Sequence, residues 1–323
     1  MRFFFSMLGL ALLASCVSRV PLSDEYLGPQ ELPIAIIDRF DASAPVLTTL
    51  DEESGDERSR WRVGFTVRDV KLQSNAVKSG SIDFEYYDVE GTERTPVVIV
   101  LPIFDGQPIV TRYFARYFAN QGWAALALDR ERDLLDNLEQ PEQAIHDNML
   151  EYRRVLDWVA QQPELDSSSI GLFGISFGAM DAVMLTALDD RVDALVAAMA
   201  GGDLAYMLMN TNYRPLSRAV DAMLEETGLS REGLLQDLEE RFASDPLTFG
   251  PYVDAQRVLM IMTRTDALVP FESQQALRTS MGMPETLYLP TGHRTSLVYF
   301  PKVRSSAYEF FARQFATDPP LSN

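Results

Sequence analysis

The chain has 323 residues, 46% of them hydrophobic, and a formal net charge of −19. This composition supplies a sizeable core inside a self-repelling acidic surface, and it excludes ordinary nucleic-acid binding, which needs cations to meet phosphates. Two histidines and one cysteine are too few for a zinc cluster and rule out an intramolecular disulfide. No G-x-x-x-x-G-K-[ST] loop is present to cradle a nucleotide.

In chain order, Arg2 precedes an apolar run from Phe3 to Ala14 that is short for a membrane span. The run ends in Leu13-Ala14-Ser15-Cys16, which resembles the bacterial lipobox. The resemblance implies a signal peptide over residues 1–15, a diacylglycerol on the Cys16 thiol, and a membrane partner through that lipid. With Val17 rather than Asp following, it implies the outer rather than the inner membrane of a bacterial envelope, with the domain facing the periplasm or exterior. The competing reading is an ordinary secretory signal that contains a cysteine.

Residues 16–60 mix Pro, Ser, Asp and Glu, with an acidic stretch at 51–57, and read as a tether or irregular arm. Within it, Leu32 to Ile37 is apolar enough to dock on a domain. From residue 61 to 323 the pattern is that of a folded domain. Trp61 to Leu72 and Ile82 to Val89 alternate apolar and polar residues, as antiparallel strands do. Pro96 to Leu101 and Trp123 to Asp129 are apolar runs, as in strands covered on both faces. Ile109 to Gln121 and Glu142 to Gln161 between and after them have helical periodicity. Ile170 to Phe173 predicts a strand, Phe177 to Leu188 a helix, and Ala194 to Met199 a strand.

Alternating strands and helices predict an α/β fold with a mostly parallel, doubly wound sheet. The alternation breaks after Gly201-Gly202. Residues 203–250 read as a helical cap over the carboxyl edge of the sheet, where ligands bind in open α/β sheets. Strands resume at Arg257 to Met262 and Glu285 to Leu289, with helices at Glu272 to Ser280 and Ser296 to Phe315.

One stretch carries chemistry. Gly174-Ile175-Ser176-Phe177-Gly178 has the G-x-S-x-G pattern, with a strand before it and a helix after it. Such a tight turn strains the serine and wants glycine on both sides. An acyl-transfer serine needs a base, and the base needs an orienting carboxylate. Asp266 and His293 each follow a predicted strand, giving the order Ser176, Asp266, His293. His146 is a competitor for the base and Asp203 for the acid. Asp129 reads as a loop cap, and Asp181 as a structural residue of the elbow helix. Met207, Met209, Tyr206 and Tyr213 in the cap are candidates for lining an apolar acyl pocket.

This order on these elements, over about residues 61–316, resembles the α/β-hydrolase fold and, within it, the dienelactone-hydrolase and prolyl-oligopeptidase-like esterases. The resemblance implies an eight-stranded, mostly parallel sheet and no cofactor. It implies an acyl-enzyme on Ser176, with His293 as base and then acid and Asp266 orienting the imidazole. The Val269-Pro270 context fits Asp266 as the acid. An oxyanion hole would use the Phe177 amide and one from the loop after Leu101. Many of these relatives carry His-Gly there, whereas this chain has Leu101-Pro102-Ile103; aligning Pro102, which cannot donate, with that Gly implies Ile103 as the second donor, with Phe104 the alternative. The resulting expectation is a serine hydrolase acting on a small-molecule carboxylic ester, with no metal; the alternative is a non-catalytic lipoprotein that uses the fold for binding.

Overall fold

A computed structural model of the chain describes residues 17–40, 48–55, 64–73, 81–91, 94–104, 108–129 and 140–316. Its strands are β1 (Ser18–Val20), β2 (Thr48–Gly55), β3 (Phe65–Gln73), β4 (Ser81–Val89), β5 (Thr95–Val100), β6 (Ala124–Leu128), β7 (Leu165–Ile175), β8 (Ala194–Ala198), β9 (Val258–Thr263) and β10 (Glu285–Leu289). Its helices are α1 (Ile34–Phe40), α2 (Pro108–Ala119), α3 (Pro141–Gln161), α4 (Phe177–Leu188), α5 (Leu204–Asn210), α6 (Arg214–Thr227), α7 (Arg231–Arg241), α8 (Pro246–Phe249), α9 (Phe271–Ser280) and α10 (Phe300–Phe315).

The strands form one sheet in the order β1-β10-β9-β8-β7-β5-β6-β4-β3-β2. From β6 through β10 the neighbours are parallel, whereas β4 pairs antiparallel with β6 and β3 antiparallel with β4. The continuous apolar runs become the central strands because both faces are covered. All residues of β6, β8 and β9 are buried. On one face α2 and α10 pack Phe114, Phe118, Phe310 and Phe311 against the sheet; on the other, α3, α4 and α9 bring Trp158, Val155, Leu185 and Leu277. Burial of such side chains contributes about 1.5–3 kcal/mol each.

The expected eight strands correspond to β3 through β10; the sheet has two more. At one edge β1 pairs antiparallel with β10, with Ser18 opposite Tyr288, and Arg19 forms an ion pair with Glu285. At the other edge β2 pairs antiparallel with β3. The acidic composition of 51–57 reads as a solvated arm, but backbone pairing at a sheet edge needs no apolar side chains. Over its described residues, 17–40 is therefore part of the fold rather than a free tether. The segment expected to dock, Leu32 to Ile37, leads into α1 but leaves Ile34 and Ile37 exposed, with only Ile36 packed on the core; the anchor is Phe40 at the end of α1, fully buried against Phe249 and His146. Cys16 and the segment before it lie outside the described residues.

Between β8 and β9 lie helices α5 to α8 and no strand. Asp245 ties the base of this insertion. Its carboxylate accepts hydrogen bonds from the backbone N–H groups of Asp203 (3.0 Å), Leu204 (2.6 Å) and Leu247 (2.8 Å). Burial pushes its carboxyl pKa up, partly offset by those donors. Among the described residues no helix is long and apolar enough to cross a membrane.

Candidate active site

Ser176 occupies the turn between β7 and α4 at φ 57° and ψ −123°, a conformation L-residues rarely adopt. The surroundings hold it there. Its N–H donates to the Ala198 carbonyl at 2.8 Å, and its own carbonyl accepts from the amides of Ala179 (3.0 Å) and Met180 (3.1 Å). The strand ladder and the first helical turn thus meet at one residue. The flanking glycines are required by contact. A Cβ on Gly174 would lie 2.4 Å from the Gly178 carbonyl oxygen, and one on Gly178 would lie 2.6 Å from that of Pro102. Helix α4 is buried on nearly every side, so the elbow has no slack.

Asp266 and His293 meet at the carboxyl ends of β9 and β10. His293 Nδ1 lies 2.8 Å from Asp266 Oδ2. The same Oδ2 accepts from the Thr263 hydroxyl at 2.7 Å, while Oδ1 accepts from the amides of Leu268 (2.9 Å) and Val269 (3.0 Å). Burial pushes the Asp266 carboxyl pKa up. The His293 hydrogen bond and charge, with the Val269 and Thr263 donors, outweigh that and hold it below the usual carboxylate range. An ionised carboxylate only accepts, so Nδ1 carries a proton, and in the neutral form of the imidazole this leaves Nε2 as the acceptor.

Ser176 and His293 both line a cavity of about 400 Å³. No hydrogen bond joins their side chains in this geometry; such catalytic contacts commonly tighten only when substrate is bound. The rest of the lining is mostly apolar: Met180 of α4, Met199 just after β8, Leu204, Met207, Leu208 and Leu216 from the cap, Leu268 from the loop after β9 and Phe300 at the start of α10. Of the four cap residues singled out in the sequence, Met207 and Tyr213 line it; Met209 is buried elsewhere and Tyr206 is partly exposed.

The loop after β5 lies against the elbow. Leu101 and Pro102 carbonyl groups press on Gly178, and Ile103 and Phe104 line the cavity beside Phe177. The Phe104 ring is edge-on to Phe177 at 5.8 Å and to Tyr213 at 6.5 Å. Both candidate oxyanion donors, the amides of Phe177 and Ile103, thus belong to residues bordering the cavity that Ser176 lines.

The competitors fall elsewhere. His146 stacks on Phe40, and its Nε2 lies 2.9 Å from the Arg39 carbonyl oxygen. Asp203 caps α5, accepting from the Tyr206 N–H at 3.0 Å. Asp181 is fully buried and accepts from the Tyr152 hydroxyl. Asp129 borders a separate polar depression with Asp69, Asp83, Glu85 and Arg112. Among the described residues no group of three or more His, Cys, Asp or Glu side chains is placed to hold a metal ion.

Sequence reasoning passed over Thr263, Gln274 and Arg294. Thr263 stands three residues before Asp266, a visible hydroxyl signal. Gln274 lies eight positions beyond Asp266 on the next helix and gives no local signal. Arg294 follows His293 directly and lines the cavity while remaining exposed to solvent.

The parallel sheet, the strained Ser176 after β7 and the Asp266–His293 pair after β9 and β10 define the α/β-hydrolase fold. The comparisons agree. Residues 141–270 match the model of the X-Pro dipeptidyl-peptidase (S15) family. A polyketide transferase of Penicillium crustosum is 33% identical over 102 residues, 31% of this chain; the match spans about a third (33%) of that relative's length. An acetyl xylan esterase from Paenibacillus sp. R4 superposes with a TM-score of 0.63 at 17% identity, covering 87% of this chain and 92% of that one. The acylaminoacyl peptidase of Pyrococcus horikoshii gives a TM-score of 0.59 at 16% identity, covering 81% of this chain and 44% of that one.

Proposed function

We propose that this chain is a serine hydrolase that cleaves a carboxylic ester through an acyl-enzyme. The observation that carries the reading is the strained Ser176 sharing one apolar cavity with a His293 whose Nδ1 is held by Asp266. In this reading Nε2 of His293 takes the Ser176 hydroxyl proton as Oγ attacks the ester carbonyl. The negative oxygen formed is met by the amides of Phe177 and Ile103. Collapse expels the alcohol, which receives the proton back from His293, and water repeats the sequence to release the acid. Asp266, kept ionised, stabilises the imidazolium without itself taking the proton. The apolar lining suits an acyl chain or another apolar substituent.

A peptidase reading draws on the match to the X-Pro dipeptidyl-peptidase family. Removal of a dipeptide from a free N-terminus calls for a carboxylate to receive the substrate ammonium. Among the described residues, no Asp or Glu lines the cavity, which favours the ester.

A fluorophosphonate probe tests the parent reading. It is expected to label the protein at Ser176, and Ser176→Ala is expected to lose labelling and to reduce p-nitrophenyl ester hydrolysis on the order of 10⁴-fold or more. Unchanged hydrolysis in the variant removes the proposal. An X-Pro p-nitroanilide run alongside reports the peptidase alternative.

We further propose a lipid on Cys16 and an envelope location, which the Leu13-Ala14-Ser15-Cys16 pattern supports. Cys16→Ser is expected to move the protein from the membrane fraction to the soluble one in a bacterial host and to abolish labelling by a fatty-acid probe.

A further inference from the structure

Arg294 is set apart by where it lies. The chain has 47 acidic and 28 Lys or Arg residues, and Arg264 and Arg304 likewise stack on aromatic rings, but neither of those lines the cavity that holds Ser176 and His293. Among the described residues, no Asp or Glu lies within ion-pair distance of Arg294. Instead its guanidinium is 5.6 Å from the centroid of the Tyr213 ring, which the cap presents at the cavity. Stacking on an aromatic face fixes the plane of a guanidinium yet leaves its edge N–H donors open. Apart from His293, Arg294 is the only ionisable cation among the described residues lining the cavity, and no carboxylate shares that lining.

His293 and Arg294 line one cavity, and the role of His293 bears on which part of a substrate Arg294 meets. His293 returns a proton to the departing oxygen, so the leaving group must lie on the side of the imidazole. Arg294 is the next residue; it lines the same cavity and is exposed to solvent, which sets it toward the cavity's opening. In the orientation this implies, the acyl group lies among Met180, Met199 and Leu208, which line the same cavity and offer nothing to an anion. A single guanidinium carries one charge and a planar fork of donors, which matches a monoanionic carboxylate; a phosphate dianion would call for a second cation.

We propose that the substrate is an ester whose alcohol portion bears a carboxylate, bound by Arg294 at the cavity mouth while the acyl group occupies the apolar interior. The proposal rests on the serine hydrolase reading of the same site. It makes Arg294 a specificity residue for the leaving group, positioned by Tyr213.

The experiment compares 4-acetoxybenzoate, whose leaving group is anionic, with neutral 4-acetoxybenzamide, in the full chain and in Arg294→Gln. The ratio of kcat/KM for the anionic over the neutral ester is expected to fall about tenfold in the variant, mainly through KM, as for the loss of one charge-assisted hydrogen bond. Arg294→Lys is expected to retain part of the ratio, and salt is expected to lower it in the parent protein and in Arg294→Lys but not in Arg294→Gln. A third ester, 4-nitrophenyl hemisuccinate, carries its anion on the acyl side. A ratio unchanged in Arg294→Gln, or a loss confined to the hemisuccinate, overturns the proposal. Fluorophosphonate labelling of Ser176 in each variant separates the failures. Labelling with an unchanged ratio sinks only the Arg294 assignment, whereas no labelling even of the parent protein sinks the hydrolase reading.

Discussion

Gln274 holds Thr263 by both backbone groups. Its amide oxygen accepts from the Thr263 N–H at 3.1 Å, and its nitrogen reaches the Thr263 carbonyl at 3.4 Å and the Val269 carbonyl at 2.9 Å. A fully buried side chain of α9 thus stands in for a strand neighbour at the end of β9. The Thr263 hydroxyl, so fixed, donates to Asp266. Gln274→Ala leaves a buried N–H and two carbonyls short of partners, which costs about 1–3 kcal/mol per unsatisfied group. The expected result is a lower Tm in a thermal melt and a fall in kcat from a loosened Asp266. Gln274→Glu in its neutral form offers no amide donors, and it too is expected to lower kcat.

Asp266→Asn is expected to reduce kcat by roughly 10⁴-fold in the serine hydrolase reading, because the amide can donate to Nδ1 and stabilise the wrong tautomer. The same variant has a pH signature. The folded-state pKa of Asp266 lies below its unfolded value. Its contribution to stability is therefore fully present above the usual carboxylate range and is lost as pH falls through the folded value. The stability difference between parent and Asp266→Asn, measured by denaturant titration, is expected to shrink steadily on acidification below that range and to be flat near neutrality.

Gly178→Ala sets a methyl group 2.6 Å from the Pro102 carbonyl oxygen and 2.8 Å from that of Leu101. These are backbone atoms of the loop that carries Ile103, so relief requires moving the loop. Overpacking of this kind costs about 1–3 kcal/mol. In addition, kcat is expected to fall more than KM rises, because the displaced amide matters most to the transition state. A variant with parental Tm and kcat would mean the loop is not held against the elbow.

Met207→Trp narrows the cavity from the cap side and leaves the Ser176 and His293 residues themselves unchanged. In a series of p-nitrophenyl esters of increasing acyl length, kcat/KM is expected to fall for the longer chains and to hold for acetate. An even loss across the series would mean the acyl group does not approach α5.

The elbow glycines, the Ser176–Asp266–His293 order and the alternation of buried strands with helices were legible because each is local. Glycine is demanded by the turn itself, and strand or helix periodicity is set by neighbours in the chain. The helices α5 to α8 likewise fall where the alternation stops. The edge strands β1 and β2 were not legible. An edge strand is held by backbone hydrogen bonds to a partner distant in sequence, and its side chains need carry no apolar alternation.

The sequence by itself determined the fold class, the elbow and the order of the three candidate residues, since those follow from local propensity and spacing. Only the tertiary structure decided that Nδ1 of His293 meets Asp266 rather than Asp203, that Gln274 and Thr263 stand behind that pair, and that Arg294 faces the cavity with Tyr213. Those relations join α9 to β9 and a loop to the cap. They depend on how the elements pack around the sheet, which no stretch of the chain records alone.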